Sequence, residues 1–366
     1  MHDSVDVEDL RLNYDPEHPL DRFVKGGVAI ATQSASERLP SEVPWPAAGK
    51  PAADPLPRAP QESADLTKFA GYDAVVMTWT AAEAAALAAL LSPGALPSQW
   101  YEYRHDVESY VPLVTGGRAP FNDRAAEMAR YYHSLGLYFP CRIGRARVLL
   151  FKSGLHLDYD GPKTPLKRLV DEIVTAVRPK ILITTGTGGG IGTDVKLGDV
   201  VIAGHTRFDC NTQFAGEPWA KASYGTTPVP KAALDKITPS LTEPNASRIV
   251  SHGARPHPKL WATATDTIVT TDFFGFDDST NHYRLQGLGQ ACDMGDAMVG
   301  QAMQAHDGVK WFAIRNASDP QIPNPTKDIG AANKQAGEIY AECGVFTTAA
   351  SVIATWAIID TVVNER

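Results

Sequence analysis

Apolar residues fall along this chain in two rhythms. Runs rich in β-branched, aliphatic and aromatic residues recur at Asp73-Ala-Val-Val-Met-Thr-Trp-Thr, at residues 147–152, 181–184 and 200–204, and at Lys310-Trp-Phe-Ala-Ile-Arg-Asn-Ala-Ser-Asp. Each has the length of a strand buried on both faces. Between them, residues 81–91 are rich in Ala and Leu and stop at Ser92-Pro93-Gly94. Residues 164–177 carry Leu166, Leu169, Val170, Ile173, Val174 and Val177 at helical spacing before Pro179. Strands feeding helices in this way predict an α/β fold. The apolar run 345–363 is barely long enough to span a bilayer, and Asp360 and several threonines interrupt it, so it predicts a long packed helix.

Two stretches break the rhythm. Residues 1–68 hold nine of the 27 prolines, six of them between Pro44 and Pro60, with few aliphatic positions. Proline fixes φ and removes a donor, so this stretch reads as an extended N-terminal arm, either a free tail or linker or docked on the body through Trp45 and residues 28–31. The folded domain is expected over 69–366. Residues 99–144 form a polar, aromatic-rich segment with a predicted helix over 122–135, and read as a specificity insertion. Composition then narrows the partners. A net charge of −8 and a pI near 5.7 argue against general binding to nucleic acid or to an anionic membrane, both of which require a basic face. Cys141, Cys210, Cys292 and Cys343 are widely separated, with no Cys-x-x-Cys and no signal-like N-terminus, which predicts reduced thiols in the cytoplasm and no metal site.

The candidate chemistry centres on residues 180–209. Ile181 to Thr184 runs into Thr185-Gly-Thr-Gly-Gly-Gly-Ile-Gly, and Leu197-Gly-Asp leads into the strand at 200–204. A phosphate-cradling P-loop would need Lys-Ser/Thr closing the glycine run and a helix behind it, and a dinucleotide fingerprint would need G-x-G-x-x-G opening a helix. Neither spacing is present. The expectation is a strand, a glycine turn whose backbone approaches a ligand, and a second strand.

This segment resembles the signature of the purine nucleoside phosphorylase and nucleosidase superfamily. Three further motifs stand in the family's order: a first strand followed by a helix with Glu83 near its first turn, Ala291-Cys-Asp-Met-Gly-Asp-Ala-Met, and Arg315-Asn-Ala-Ser-Asp319. In motif pattern the chain is similar to the methylthioadenosine/S-adenosylhomocysteine nucleosidase-like branch. The resemblance implies a three-layer αβα fold around a mixed, twisted, partly barrel-like sheet, no cofactor, a small nucleoside as ligand, and a homodimer or higher homo-oligomer. It implies Asp319 as the general acid at N7 of a purine leaving group and Glu83 as the base that activates water. Thr187, Gly188 and Gly189 would floor the site, Ile268 and Phe273 or Phe274 would meet the base, and Met294 and Ser318 would complete the pocket.

One position departs from the family. Where its ribose-binding segment has Glu after Met, this chain has Gly295, with Asp296 next. Asp296 reaching in as a substitute anchor, a modified sugar, or binding without turnover would each accommodate the change. The arginines with which related phosphorylases hold phosphate are also missing, since Thr184-Thr185 and Thr78-Trp79-Thr80 occupy those places. Hydrolysis is therefore the expected reaction. A phosphorylase would need Arg104, Arg118 or Arg124 from the insertion, and a nucleoside-binding protein would need no nucleophile at all.

Overall fold

The computed structural model describes residues 43–110, 112–113, 134–155, 157, 164–238, 253–273 and 275–364. Residues 28–31, Arg118, Arg124, Phe274 and nearly all of the helix expected over 122–135 lie outside the described residues.

In chain order the strands are β1 (Pro51–Ala53), β2 (Ala74–Thr78), β3 (Tyr101–Tyr103), β4 (Gly136–Ile143), β5 (Ala146–Ser153), β6 (Ile181–Gly190), β7 (Val200–Ile202), β8 (His205–Phe208), β9 (Ser223–Gly225), β10 (Leu260–Trp261), β11 (Thr267–Thr270), β12 (Ala291–Asp293) and β13 (Lys310–Asp319). The helices are α1 (Ala81–Leu91), α2 (Val107–Tyr110), α3 (Pro165–Val177), α4 (Lys231–Lys236), α5 (Asp296–Met303) and α6 (Ile329–Ile359). The strands form one mixed sheet in which β6 is the hub. It runs parallel to β2 and to β13, and its last two residues pair antiparallel with β12. The sheet branches there and stays open, with β1 and β9 at the ends of its main path, so it does not close into a barrel.

Period-2 alternation makes the three layers. Ala74, Val76, Val148, Leu150, Ile181, Ile183, Phe312 and Ile314 face a core shared with α1 and α6. Their neighbours Val75, Met77, Leu149, Phe151, Leu182, Trp311 and Ala313 face a second core shared with α3 and α5. Because both faces are covered, these strands read as continuous apolar runs.

The glycine-rich segment is not a turn. β6 runs through it to Gly190 with all ten residues buried, and the chain reverses only beyond, over 191–199. Pairing to β13 along one edge and to β12 at the end of the other satisfies the backbone, and that outweighs the low strand propensity of glycine.

At the edge of the sheet, β1 pairs antiparallel with β4. The Trp45 ring lies 4.9 Å from that of Trp356, whose indole N–H donates to the carbonyl of Gly49 at 2.7 Å. The proline-rich stretch is thus seated on the body from residue 43 onward. Trp356 belongs to α6, whose C-terminal part is long and apolar enough to cross a bilayer, yet 89% of that window is buried inside the protein. Its hydroxyls are satisfied internally: Thr348 donates to Gly344 O, Thr355 to Ser351 O, and Ser351 to the Asn316 side chain on β13.

Candidate active site

The parallel strands β2, β5, β6 and β13 all end on the same side of the sheet, where open α/β sheets place ligands. Glu83 arrives there through a helix start. Thr80 caps α1, accepting from the Glu83 N–H at 3.2 Å, and Glu83 Oε2 accepts from the Thr80 N–H at 2.9 Å in return. The same oxygen accepts from the Trp79 N–H at 2.7 Å and the Thr78 hydroxyl at 2.5 Å. Oε1 turns to β6 and accepts from the Thr187 N–H at 2.6 Å and the Thr187 hydroxyl at 2.8 Å. Glycine at 186 is a steric requirement, because a Cβ there would stand 2.1 Å from Oε1. Burial pushes the Glu83 carboxyl up, but the Arg315 charge and these donors outweigh it and hold the group below its ordinary range.

Arg315 is the buried cation of the site. On β13 it shares a face with Trp311 and Ala313 and so points toward α5. Its guanidinium donates to both carboxylate oxygens of Asp296, at 2.8 and 2.7 Å, stands 3.1 Å from Asp293 and 3.6 Å from Glu83, and stacks on Trp79 at 4.7 Å. One guanidinium therefore serves three buried carboxylates. Burial together with the neighbouring Asp296 raises the Asp293 carboxyl, even though Arg315 opposes the shift.

Asp319 closes β13. A bulge between Ala317 and Asp319 sets its residue opposite Gly189. Oδ1 accepts from the Ser318 hydroxyl at 3.0 Å, while the buried Oδ2 has no hydrogen-bond partner and would lie 3.3 Å from a Cβ at Gly189. Burial pushes this carboxyl up to about 7, a shift the Ser318 hydroxyl opposes and Asp277 reinforces. An acid of that strength with an unused oxygen can either give or hold a proton near neutral pH.

A cleft at this end of the sheet is lined by Thr187, Gly188, Gly189, Gly275, Cys292, Asp293, Met294, Ser318, Asp319 and Tyr340. Of the residues expected from the sequence, Thr187, Gly188, Gly189, Met294, Ser318 and Asp319 meet there, and Glu83 lies directly behind Thr187. Phe273 stacks on Tyr283 at 5.1 Å and borders Gly275 at the rim. Two expectations need correction. Ile268 is packed in the core with Ala297 and Met298, because alternation along β11 turns it to the α5 side of the sheet. Asp296 is fully buried in its bidentate pair with Arg315 and does not line the cleft, so it is no substitute sugar anchor.

Arg315, Trp79, Asp293, Cys292 and Tyr340 received no role in the sequence reading. For Arg315 the signal was present, as a single cation inside an apolar strand. Tyr340 comes from a helix remote in sequence and left none.

No curated protein sequence matches the chain. Among solved structures, the 5'-methylthioadenosine/S-adenosylhomocysteine nucleosidase of Neisseria meningitidis, in complex with methylthio-immucillin-A, is 16% identical over 79% of this chain and 99% of its own, with a TM-score of 0.45. The corresponding nucleosidase of Colwellia psychrerythraea, in complex with adenine, is 14% identical over 79% and 95%, with a TM-score of 0.47. The futalosine hydrolase of Helicobacter pylori is 11% identical over 79% and 98%, with a TM-score of 0.46. The family profile described as the phosphorylase superfamily matches residues 108–345, well over half of the chain, including β6, the Met294 segment and Asp319; Glu83 lies before it. The chain belongs to the phosphorylase superfamily.

Proposed function

We propose that this protein hydrolyses the N-glycosidic bond of a purine nucleoside or nucleoside derivative. The observation that carries the reading is the unpartnered Oδ2 of Asp319, on a buried carboxyl raised to about 7 in a residue that lines a cleft together with Gly188 and Gly189. Breaking the bond between C1′ and N9 sends its electron pair into the base, and a proton passed from Asp319 to N7 neutralises the leaving group. Such general acids contribute roughly 10²–10⁴-fold.

Water then attacks C1′ and must lose a proton. Thr187 lines the cleft and its hydroxyl donates to Glu83, so the water gives its proton to Thr187 Oγ as Thr187 gives its own to Glu83. The products are the free base and the reducing sugar. Hydrolysis is favoured over phosphorolysis because no basic residue lines the cleft among the described residues, and the donors of Arg315 are directed at its three carboxylates and the Thr187 carbonyl. With this reading go a cytoplasmic location and a homo-oligomer.

The test is a nucleoside panel incubated with and without inorganic phosphate, read by base released and by the sugar formed. Base release at the same rate in both arms, with reducing sugar as product, is the expected result. A rate that climbs with phosphate and yields sugar 1-phosphate would replace the hydrolase by a phosphorylase, and binding without release would leave a nucleoside-binding protein.

A further inference from the structure

Backbone pairing between β6 and β13 ends at the bulge that sets Asp319 opposite Gly189. Beyond it, one buried carboxylate ties the two chains together. Asp277 Oδ2 accepts from the Gly192 N–H at 2.7 Å, two residues past the end of β6, and from the Gln321 side-chain amide at 2.8 Å, two residues past Asp319. Its Oδ1 accepts from the Gln286 amide at 2.9 Å, and its backbone carbonyl accepts from the Ile322 N–H at 2.8 Å. The next residues continue the seam, the Ser279 N–H donating to Ile322 O at 2.9 Å and the Asn324 amide to Asp278 at 2.7 Å. The same segment supplies Gly275 to the cleft, and the Gly275 carbonyl accepts from the Cys292 thiol at 3.2 Å.

Asp277 is only 1% exposed, and the donors to its carboxylate are two side-chain amides and a backbone N–H, none of them a cation. Such donors hold a carboxylate in place without cancelling its charge. A like charge near a second carboxyl disfavours ionisation of that carboxyl. Around Asp319, the titratable groups that line the same cleft are Cys292 and Asp293 from β12 and Tyr340 from α6. Asp278 follows Asp277 in the buried seam, while Asp194, His282, Arg284 and Lys327 on the adjoining segments are exposed. Burial is the larger cause of the raised Asp319 carboxyl, and Asp277 adds to it.

We propose that Asp277 is a positioning residue for Asp319: it fastens the continuations of β6 and β13 where their ladder stops, and it sets an uncancelled negative charge on the segment paired to the acid's own. Asp319 is thereby fixed over Gly189 and keeps its proton until a leaving base takes it. Asp277 touches no reacting atom and acts through the Asp319 carboxyl. This inference rests on reading Asp319 as the acid of a nucleosidase.

The test uses the full chain and first reads the proton on Asp319 without substrate. The difference in denaturant midpoint between Asp319→Asn and its parent, followed from pH 3 to 9, isolates this carboxyl from Asp293; it is measured in the wild type and in an Asp277→Asn background. Asp277→Asn keeps the shape and removes the charge, so the inflection should move to lower pH, as for an acid about tenfold stronger. A merely structural Asp277 would lower stability and leave the inflection in place. With adenosine and inosine as substrates, the alkaline limb of kcat/KM for base release should move by the same amount, and kcat should fall more than KM rises. Gln321→Met, at a half-buried position, removes one tie and leaves the charge, so turnover should fall by about tenfold with the inflection unmoved. If Asp277→Asn does not fold, Gln321→Lys, which keeps a donor to Asp277 and cancels its charge, is compared with Gln321→Met and should show the lower inflection. An inflection that loss of the charge leaves unmoved, or that Gln321→Met moves as far, overturns the inference, as does full turnover in Gln321→Met. A shifted inflection without base release by the wild type keeps it and removes the hydrolase reading, whereas base release with the inflection unmoved does the reverse.

Discussion

Glu83, in the first turn of the helix after β2, and Asp319, at the end of β13 on the far side of β6, are both carboxylates, both almost wholly buried, and they have been given opposite surroundings. Glu83 accepts five hydrogen bonds and lies 3.6 Å from a guanidinium. Asp319 accepts one, from the residue beside it, and keeps one oxygen empty. Burial raises both, but only at Glu83 is it outweighed, so the first carboxyl is held below its ordinary range and the second is lifted to about 7. Residue type does not decide which of these carboxyls holds a proton. The charge and the donors around each group do.

Breaking the contrast at Asp319 should have the largest effect. Asp319→Asn keeps the shape and removes the transferable proton, so base release should fall by roughly 10²–10⁴ while nucleoside binding stays within about tenfold. Single-turnover base release and calorimetry read the two separately, and near-wild-type turnover would take Asp319 out of the mechanism. Glu83→Gln should come next. It removes the charge proposed to receive the water proton and turns an amide N–H₂ toward N–H and O–H donors, so kcat should drop by about 10²-fold with a smaller change in KM. A change confined to KM would make Glu83 a binding group only.

The smallest effect sharpens the comparison through pH. Asp319 titrates near 7 in the fold and near 3.8 when unfolded, so between these values the native state holds the extra proton and stability declines as pH rises. The stability of Asp319→Asn relative to wild type should therefore be flat below about pH 4, rise through pH 7 and level off, by a few kcal/mol at most. Glu83, lowered from 4.5, has the opposite sign. Its contribution is complete above about pH 4.5 and is lost in acid, so the deficit of Glu83→Gln should shrink there. Denaturant midpoints measured from pH 3 to 9 would display both slopes, and parallel curves would show that the two environments do not differ as described.

What was legible in the chain is local. The apolar runs that open β2, β5, β6 and β13 announce themselves because a strand covered on both faces turns successive apolar residues into the two cores. The helix over 81–91 and its stop were legible from Ala/Leu content and Ser92-Pro93-Gly94. The glycine segment misled because propensity is a local quantity, whereas strand pairing on both edges of β6 is not.

By itself the sequence determined the αβ order, the family, and the chain positions of Glu83, Asp319 and Gly295. Only the tertiary structure decided what surrounds them: that Asp296 is spent on Arg315, that Ile268 faces the core, and that Trp79 fills the space beside Gly295. The physical reason is distance along the chain. Packing sets Trp79 beside Gly295, more than 200 residues away in the chain, and Asp319 beside Gly189, more than 100 away, and no local pattern records which donors a buried carboxylate will meet.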